Sequence, residues 1–524
     1  MRSVLALSIF AASTLAALPA WAQAQAQAPA GGPVPAAVAA EAASPAAIAR
    51  LADRLARLDE DGLDPRWYHL PAPDLATSDP ARYRAETMRA AQSAMQDLLL
   101  GRVAQLRGRA DLRRDPAAVR LSAWVQDLAT AAEPAGVIER AALLPPDARA
   151  LKAELARYRA LEAAGGWPAI TGDRSRTLEP GAADPVRVPQ LRARLAAFDP
   201  AVMQGAAATS PVYDQQLQAA LKAFQAAEGL EADGRVGAIT WRALAQPVSD
   251  RIMQLRVALD MRRGAPPPTA GRHIEVNIPH FQLRLYDGDR VVRQMAVIVG
   301  RRDRQTPMLN VRMTTVQFNP QWGVPERNAR EDLLPRFRRD PARMQASGFR
   351  LYQRIEGEVV EIDPTTVDFS SYSRTNFPYY IRQDAGDRNA LGRIKFVMPN
   401  GDDIYMHDTP DRHLFSRGQR AFSSGCIRLE RPMELLSEAL SGTAGWDMAR
   451  ADRVLASSRT TSAVLARSIP VRLHYTTTIV EGGQVIMRQD IYGLDAQYAR
   501  AMERAPAQRL ATSEGGAQRG TTLR

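Results

Sequence analysis

The sequence contains a single cysteine, Cys426, in 524 residues. One cysteine cannot form a disulfide within its own chain. In an oxidising compartment most cysteines are paired, so an unpaired thiol is expected where its reactivity is used, with a buried structural thiol as the alternative. The scarcity of cysteine therefore makes Cys426 a candidate nucleophile.

Long apolar runs are also scarce. Beyond the N terminus, no stretch approaches the ~20 apolar residues that a membrane-spanning helix needs. At the N terminus, Arg2 precedes an apolar run over residues 4–17 and an Ala-Trp-Ala motif at 20–22, which is typical of a cleavage site. We expect residues 1–22 to be a signal peptide, with an uncleaved anchor as the alternative, and the mature protein to be exported to the periplasm.

Lysine is nearly absent: Lys152, Lys222 and Lys395 are the only lysines in a chain of net charge +11. A GC-rich genome would produce this preference for arginine without any functional meaning. Positive charge would also suit a polyanion such as nucleic acid or a cell-wall polymer. Export disfavours nucleic acid, and the basic residues are not interleaved with aromatic ones as in single-strand binders. We expect no nucleic-acid partner.

Composition and periodicity divide the rest of the chain. Residues 23–43 lack large apolar side chains and are expected to be a disordered linker. Helical spacing of apolar residues predicts a helical scaffold domain over 44–200 and a small helix–turn–helix module over 201–250. From 271 the period changes to two, which predicts a mainly β domain over 271–500, followed by a flexible tail over 501–524. The predicted fold class is multidomain α+β.

One stretch of the β domain, residues 326–377, is rich in Arg, Asp, Ser and Tyr and shows no regular period. A long irregular stretch inside a compact domain is usually a lid or a binding loop. We expect a capping loop here.

A nucleophilic thiol needs a base or a cation close by. In "IYMHDTPDRH", His407 and His413 are the nearest candidates, and Tyr405 shares a strand face with His407 because the two are two residues apart. With Asp408 and Asp411, these histidines could instead bind a metal. That alternative leaves the Ser-Gly-Cys turn without a role, so we predict no metal and no cofactor.

These motifs resemble the L,D-transpeptidases of the YkuD-domain family, in which a histidine precedes a Ser-x-Gly-Cys-x-Arg block. The segments "NPQWGVP", "NALGRIKFVMPN" and "IYMHDTP" carry a closer resemblance to the large, YcbB-type members. The stretch from Tyr213 to Ala245 resembles the small helical peptidoglycan-binding domain of cell-wall enzymes, although a helical hairpin used only for packing is the alternative. The resemblance implies a catalytic β-sandwich with a capping loop.

The resemblance also implies roles for individual residues. His407 would take the proton of Cys426, and backbone N–H groups with the Tyr405 hydroxyl would bind the oxyanion. Ser424 stands where many members have histidine, and would bind the oxyanion or stabilise the turn; Arg428 would bind substrate or brace the loop. The implied catalytic residues are Cys426, His407, Asp408 through its backbone carbonyl, Tyr405, Gly425 and Ser424, and the implied substrate-binding residues are Arg428, Trp322 and Arg382.

The implied reaction joins two peptidoglycan tetrapeptide stems, one as donor and one as acceptor. The thiol attacks the carbonyl of the third stem residue, D-alanine leaves, and an amine of a second stem receives the acyl group in a 3→3 crosslink. Carbapenems would acylate the same thiol, and other cell-wall synthesis proteins are possible partners. The alternatives are an L,D-carboxypeptidase, with water as acceptor, and a non-catalytic wall-binding protein with a redox-sensing thiol.

Overall fold

The computed structural model describes residues 43–198, 200–203 and 209–504. The predicted signal peptide, nearly all of the predicted linker and most of the predicted tail lie outside these residues. The helices are α1 Pro45–Leu55, α2 Leu75–Ser78, α3 Pro80–Leu100, α4 Pro116–Val119, α5 Leu121–Thr130, α6 Pro134–Ala142, α7 Ala148–Ala163, α8 Arg187–Ala196, α9 Gln215–Ala227, α10 Ala238–Leu244, α11 Val248–Arg262, α12 Glu326–Asn328, α13 Leu334–Arg339, α14 Pro341–Ala346, α15 Pro432–Leu440, α16 Met448–Ala456 and α17 Leu494–Arg504. The strands are β1 Arg272–Asn277, β2 Gln282–Asp287, β3 Arg290–Gly300, β4 Leu309–Phe318, β5 Trp322–Gly323, β6 Phe349–Ile355, β7 Glu358–Ile362, β8 Tyr380–Gln383, β9 Ile394–Val397, β10 Met406–His407, β11 Ala421–Ser423, β12 Ile427–Leu429, β13 Thr461–His474, β14 Thr478–Glu481 and β15 Gln484–Met487.

The N-terminal scaffold is helical, as predicted. Its first helix begins at Pro45, and the Ser44 hydroxyl accepts a hydrogen bond from the Ala47 amide at 3.2 Å, which caps the helix. Leu51 and Leu55 of α1 are fully buried with apolar side chains of α3 and α6. No helix within the described residues is long and apolar enough to cross a membrane.

The small helical unit is built from α8, α9 and α10. Leu191, Leu217, Phe224 and Trp241 share one core, so α8 packs with this unit. The sequence placed α8 in the scaffold, because its apolar spacing is the same as that of the scaffold helices. The division expected at residue 200 therefore runs through a hydrophobic core.

Two helices outside the predicted scaffold also pack against it. α11, which precedes the β domain, contacts α7 of the scaffold, and α17, which follows the β domain, contacts α11. The end of the chain therefore returns to the scaffold. The buried carboxylate of Asp260 accepts hydrogen bonds from the Arg102 amide and the Tyr498 hydroxyl, both at 2.7 Å. Such partners offset the cost of burying a carboxylate. The junction between scaffold and β domain is thus a tight contact.

The mainly β fold of the C-terminal part is confirmed. Its sheet has nine strands in the order β11-β3-β12-β10-β9-β4-β13-β1-β2, and β3 also pairs with β2. The pairing therefore closes on itself, and the two layers of the predicted sandwich belong to one folded sheet. Side chains such as Val276, Leu283, Phe318 and Phe396 fill the space between the layers.

Residues 322–383, called the lid below, form a folded insertion between β4 and β9. The lid has its own antiparallel sheet, in the order β5-β8-β6-β7, and helices α12 to α14. Leu333, Phe337, Phe349 and Ile381 lie in a separate core. The expectation of a capping loop without regular elements is wrong in this respect, because the lid's helices and strands are too short to show a period in the sequence.

Candidate active site

The thiol lies in a tight turn between β11 and β12. Gly425 has a φ of 121°, a value that L-residues rarely adopt. The Ser423 hydroxyl accepts a hydrogen bond from the Gly425 amide at 3.1 Å and donates one to the Cys426 carbonyl at 2.6 Å. The Thr306 hydroxyl donates to the Gly425 carbonyl at 2.6 Å. These bonds fix the turn, and the Gly425 amide is already engaged and is not available to an oxyanion.

Three polar side chains form a row across neighbouring strands. His407 on β10 lies opposite Lys395 on antiparallel β9 and is paired with Arg428 on parallel β12. Residues paired in this way point to the same face of a sheet. Their neighbours in sequence, such as Phe396 and Met406, are buried in the core. Strand alternation therefore places the row on the outer face of the sheet.

The buried imidazole of His407 is neutral. Its Nδ1 lies 2.5 Å from the Asp408 carbonyl oxygen, so Nδ1 carries the proton and donates it, which makes Nε2 the nitrogen with the lone pair. Burial lowers the pKa of His407 to about 3, and the positive charges of Arg428 and Lys395 add to this effect. A neutral imidazole held by a carbonyl can act as a general base.

The thiol of Cys426 is half-buried and also neutral. Burial raises its pKa, and hydrogen bonds from the Tyr405 hydroxyl and amide, with the charge of Lys395, only partly oppose this shift. The thiol donates to the Asp403 carbonyl at 3.7 Å, and among the described residues no hydrogen bond joins it to His407. The free site therefore holds a thiol and an imidazole that are both uncharged, and Sγ must turn away from Asp403 to reach the base.

Tyr405 lies between the base and the lid. Its ring meets the imidazole of His407 edge to face, with centroids 5.6 Å apart. Its hydroxyl is within hydrogen-bonding reach of both the thiol and the Trp322 side chain, and burial raises its pKa far above the usual value. A phenol that stays protonated beside the thiol can donate a hydrogen bond to a developing oxyanion.

The cleft over the thiol has a volume of about 910 Å³ and is walled by the sheet on one side and the lid on the other. Trp322, Tyr405, His407, Ser424, Cys426 and Arg428 all line it. Arg382 does not. Along β8 exposed and buried residues alternate, and Arg382 is exposed, with its guanidinium 5.3 Å from the ring centroid of Tyr352. The structure thus leaves Arg382 outside the cleft.

The ligand set of the metal alternative is not assembled. The Asp408 carboxylate pairs with Arg412, and that of Asp411 accepts a hydrogen bond from Arg428 at 2.8 Å. His413 is exposed on a short 3₁₀ helix. Within the described ranges no group of three or more His, Cys, Asp or Glu side chains could hold a metal ion.

Two residues of the site were missed by the sequence analysis, Lys395 and Arg304. Arg304 is buried and donates to the Ser424 hydroxyl at 2.9 Å, while its other contacts are the lid carboxylates Glu331, at 2.5 Å, and Asp332. Both carboxylates lie in a π-helical turn between α12 and α13, a feature that often marks functional sites. The rarity of lysine was a signal for Lys395, but no motif marked Arg304.

Comparison with known proteins fits this geometry. A family model for the L,D-transpeptidase catalytic domain (YkuD) matches residues 271–453. Residues 271–453 are thus similar to the catalytic domains of YkuD-type L,D-transpeptidases. A second model, "Putative peptidoglycan binding domain", matches residues 185–244, which include α8. The order of scaffold, small unit and L,D-transpeptidase domain confirms the resemblance to the YcbB-type arrangement.

The chain is also similar to one curated relative and to two solved structures. The chain is 41% identical over 255 residues to a Haemophilus influenzae protein named "Putative L,D-transpeptidase"; the match covers 48% of this chain and 49% of that one. The chain thus spans about half the length of this curated relative. Two solved L,D-transpeptidase structures also match: one from Xylanimonas cellulosilytica at 15% identity, over 58% of this chain and 100% of that one with a TM-score of 0.17, and one from Stackebrandtia nassauensis at 11%, over 58% and 96% with 0.20.

Proposed function

We propose that this protein is an L,D-transpeptidase that crosslinks peptidoglycan stem peptides through a thioester on Cys426. The observation that supports this most is the only thiol of the chain lying in a cleft with an imidazole whose Nδ1 proton is held by the Asp408 carbonyl. The proposed product is a 3→3 crosslink, and the proposed workplace is the periplasm, to which the predicted signal peptide would direct the chain.

Acylation would begin when His407 Nε2 takes the thiol proton and Sγ attacks the carbonyl of the third stem residue. The Tyr405 hydroxyl and the Cys426 amide would stabilise the oxyanion, at ~3 kcal/mol for each donor. The tetrahedral intermediate would then collapse: the C–N bond breaks, His407 returns the proton to the leaving amine, and D-alanine departs. The thioester would pass its acyl group to an amine of a second stem, which regenerates the thiol.

The lid supports transfer to an amine over hydrolysis. Trp322 of the lid lines the cleft together with Lys395, His407 and Arg428, and Asp332 and Leu333 of the π-helical turn line an adjoining cavity beside Arg428. A covered thioester is protected from water. An L,D-carboxypeptidase, the alternative, would need water to reach the same carbonyl.

The small unit is proposed to bind peptidoglycan next to the catalytic domain. Glu231 pairs with Arg417 at 3.2 Å, and the backbone at Leu230 and Glu231 packs on Gly418, which lies between the base and the nucleophile in sequence. A peptidoglycan strand bound to the small unit would therefore lie near the catalytic cleft.

Mass spectrometry of products from disaccharide tetrapeptides tests the reaction. A transpeptidase gives dimers, a carboxypeptidase gives shortened monomers, and a wall-binding protein leaves the substrate unchanged. Cys426→Ser should give no dimers, because the higher pKa of serine defeats a base suited to a thiol. Dimers formed by this variant at the wild-type rate would refute the proposed nucleophile.

Sedimentation with cell-wall sacculi tests the small unit. A Cβ placed on Gly166 would lie 3.6 Å from Cγ2 of Val248, so deletion of residues 167–246 brings together two ends that are already close in space. This deletion should weaken sedimentation while a small soluble stem peptide is still turned over. Unchanged sedimentation would show that the unit is a spacer.

A further inference from the structure

Lys395 lies in the cleft next to the side chains of His407 and Tyr405. It is half-buried on β9, directly opposite His407, and its Nζ lies 3.9 Å from the centroid of the Tyr405 ring. The Tyr405 hydroxyl is in turn within hydrogen-bonding reach of Cys426. The ammonium group therefore stands beside the reacting atoms.

The other basic side chains of the cleft are neutralised by protein carboxylates. Arg304 pairs with Glu331 and Asp332, Arg327 pairs with Glu331, and Arg428 pairs with Asp411. Among the residues that the structure describes, Lys395 is the cleft-lining lysine or arginine without an ion pair. It is the positive charge that remains for a carboxylate of the substrate.

Burial raises the energetic cost of leaving the Lys395 ammonium group unpaired. Loss of water lowers the pKa of Lys395; the negative charge of a Cys426 thiolate and, to a smaller extent, that of Asp403 oppose this shift, and Asp403 does so from beyond ion-pair distance. A half-buried ammonium without a counter-ion is costly, and an incoming carboxylate would offset that cost.

We propose that Lys395 binds the terminal carboxylate of the donor stem, which is the carboxylate of the D-alanine that leaves; this rests on the proposed function. The leaving amine must lie beside His407 to receive its proton. Paired residues on adjacent strands have side chains about 4.5–5.5 Å apart at Cβ, and the carboxylate is separated from the leaving nitrogen by one carbon. A leaving amine at His407 thus carries its carboxylate to Lys395.

This contact makes Lys395 a specificity-determining residue. A donor with one more residue after the scissile bond would place its carboxylate about 3.8 Å further along the chain, beyond the ammonium. A donor with an amide in place of the terminal carboxylate would leave the ammonium unpaired. The site would therefore select stems that end in a free carboxylate one residue after the attacked carbonyl.

The test compares two soluble tetrapeptide donors, one with a free terminal carboxylate and one with a terminal amide. Acyl-enzyme formation is followed by intact mass, and kcat/KM is measured for wild type, Lys395→Met, Lys395→Arg and Lys222→Met. Wild type should prefer the free acid by about 10- to 100-fold, the range for a hydrogen bond between charged groups. Lys395→Met should lose most of that preference, and Lys395→Arg should keep much of it. Lys222→Met makes the same chemical change at an exposed lysine outside the cleft and should match wild type.

Two results would overturn the inference. If Lys395→Met reacted more slowly with both donors by the same factor, Lys395 would act on the thiol and not on the carboxylate. If the preference followed a side-chain carboxylate on the third residue, shown by a donor lacking that group, the assignment to the terminus would be wrong. An unfolding temperature equal to that of wild type checks that each variant is correctly folded. A wild-type protein that formed no acyl-enzyme with either donor would instead refute the proposed function.

Discussion

The guanidinium of Arg304 donates a hydrogen bond to the hydroxyl of Ser424, 120 residues further along the chain. Its remaining partners are the lid carboxylates Glu331 and Asp332. One buried cation therefore joins the turn that holds Cys426 to the lid. Movement of the lid away from the sheet would leave this cation without its counter-ions.

Arg304→Ala should loosen the lid. Removal of a charged hydrogen-bond partner costs about 1–3 kcal/mol, which favours local opening and faster cleavage of the lid by chymotrypsin. Arg327→Ala is the matched control, because Arg327 is exposed and its pair with Glu331 contributes little. Equal cleavage rates in the two variants would show that Arg304 does not hold the lid against the sheet.

The reactivity of the thiol should depend on pH as expected for a raised pKa. The thiolate is the reactive form, so iodoacetamide labelling should be slow near neutrality and should still increase beyond the ordinary thiol pKa of 9.0. Tyr405→Phe removes a hydrogen bond that favours the thiolate, and should slow labelling further at each pH. A plateau at neutral pH would indicate a thiolate–imidazolium pair.

The two candidate histidines should differ in effect. His407→Ala should reduce crosslinking by about 100- to 10,000-fold, the range for a lost general base. His413→Ala should retain activity, since His413 is exposed outside the cleft. Product formation measured by mass spectrometry checks both variants, and equal losses would revive the metal alternative.

Gly418→Ala should destabilise the packing of the small unit. A Cβ at residue 418 would lie 2.2 Å from the Glu231 amide nitrogen, which forces the two domains apart. We expect a cost of about 1–3 kcal/mol, typical of overpacking, and a lower unfolding temperature in scanning calorimetry. Gly401→Ala is the control, because nothing lies within 4 Å of its added Cβ. If both variants unfolded at the wild-type temperature, the contact at Gly418 would not contribute to stability.

A strained lactam should mark the nucleophile. Because Cys426 is the only cysteine, intact mass after treatment with a carbapenem should increase by one drug mass in wild type and remain unchanged in Cys426→Ser. A mass increase that survives the substitution would place the acylated group elsewhere, with Ser423 and Ser424 as the first candidates.

The sequence pointed to the thiol and the imidazole that line the cleft, but not to the residues around them. Cys426 and His407 could be found because a short motif and a strand period mark them. Arg304 acts through partners on the lid and on a distant turn, and such contacts leave no local pattern. Arg382 shows the converse: its segment belongs to the lid, but strand alternation turns its side chain away from the cleft.

Some parts of the fold could likewise be predicted from the sequence and others could not. The change from helical to strand period located the β domain, because its long strands bury alternate residues. The sequence did not predict that the lid is a folded unit, because the core of the lid is built from short elements. Phe337 and Phe349, for example, belong to this core but come from separate segments. The place of α8 depended on which helices it packs against, and periodicity alone does not specify that.

The raised pKa of Cys426 has a consequence for the chemical durability of the protein. Oxidation to sulfenic and then sulfinic acid starts from the thiolate, as does exchange with foreign disulfides. Burial keeps the thiolate fraction small, and in the proposed mechanism the thiol loses its proton only when the imidazole accepts it during attack. A lone thiol with this pKa would therefore resist oxidants, and under the proposed mechanism it would become a strong nucleophile only when a substrate brings it to the base.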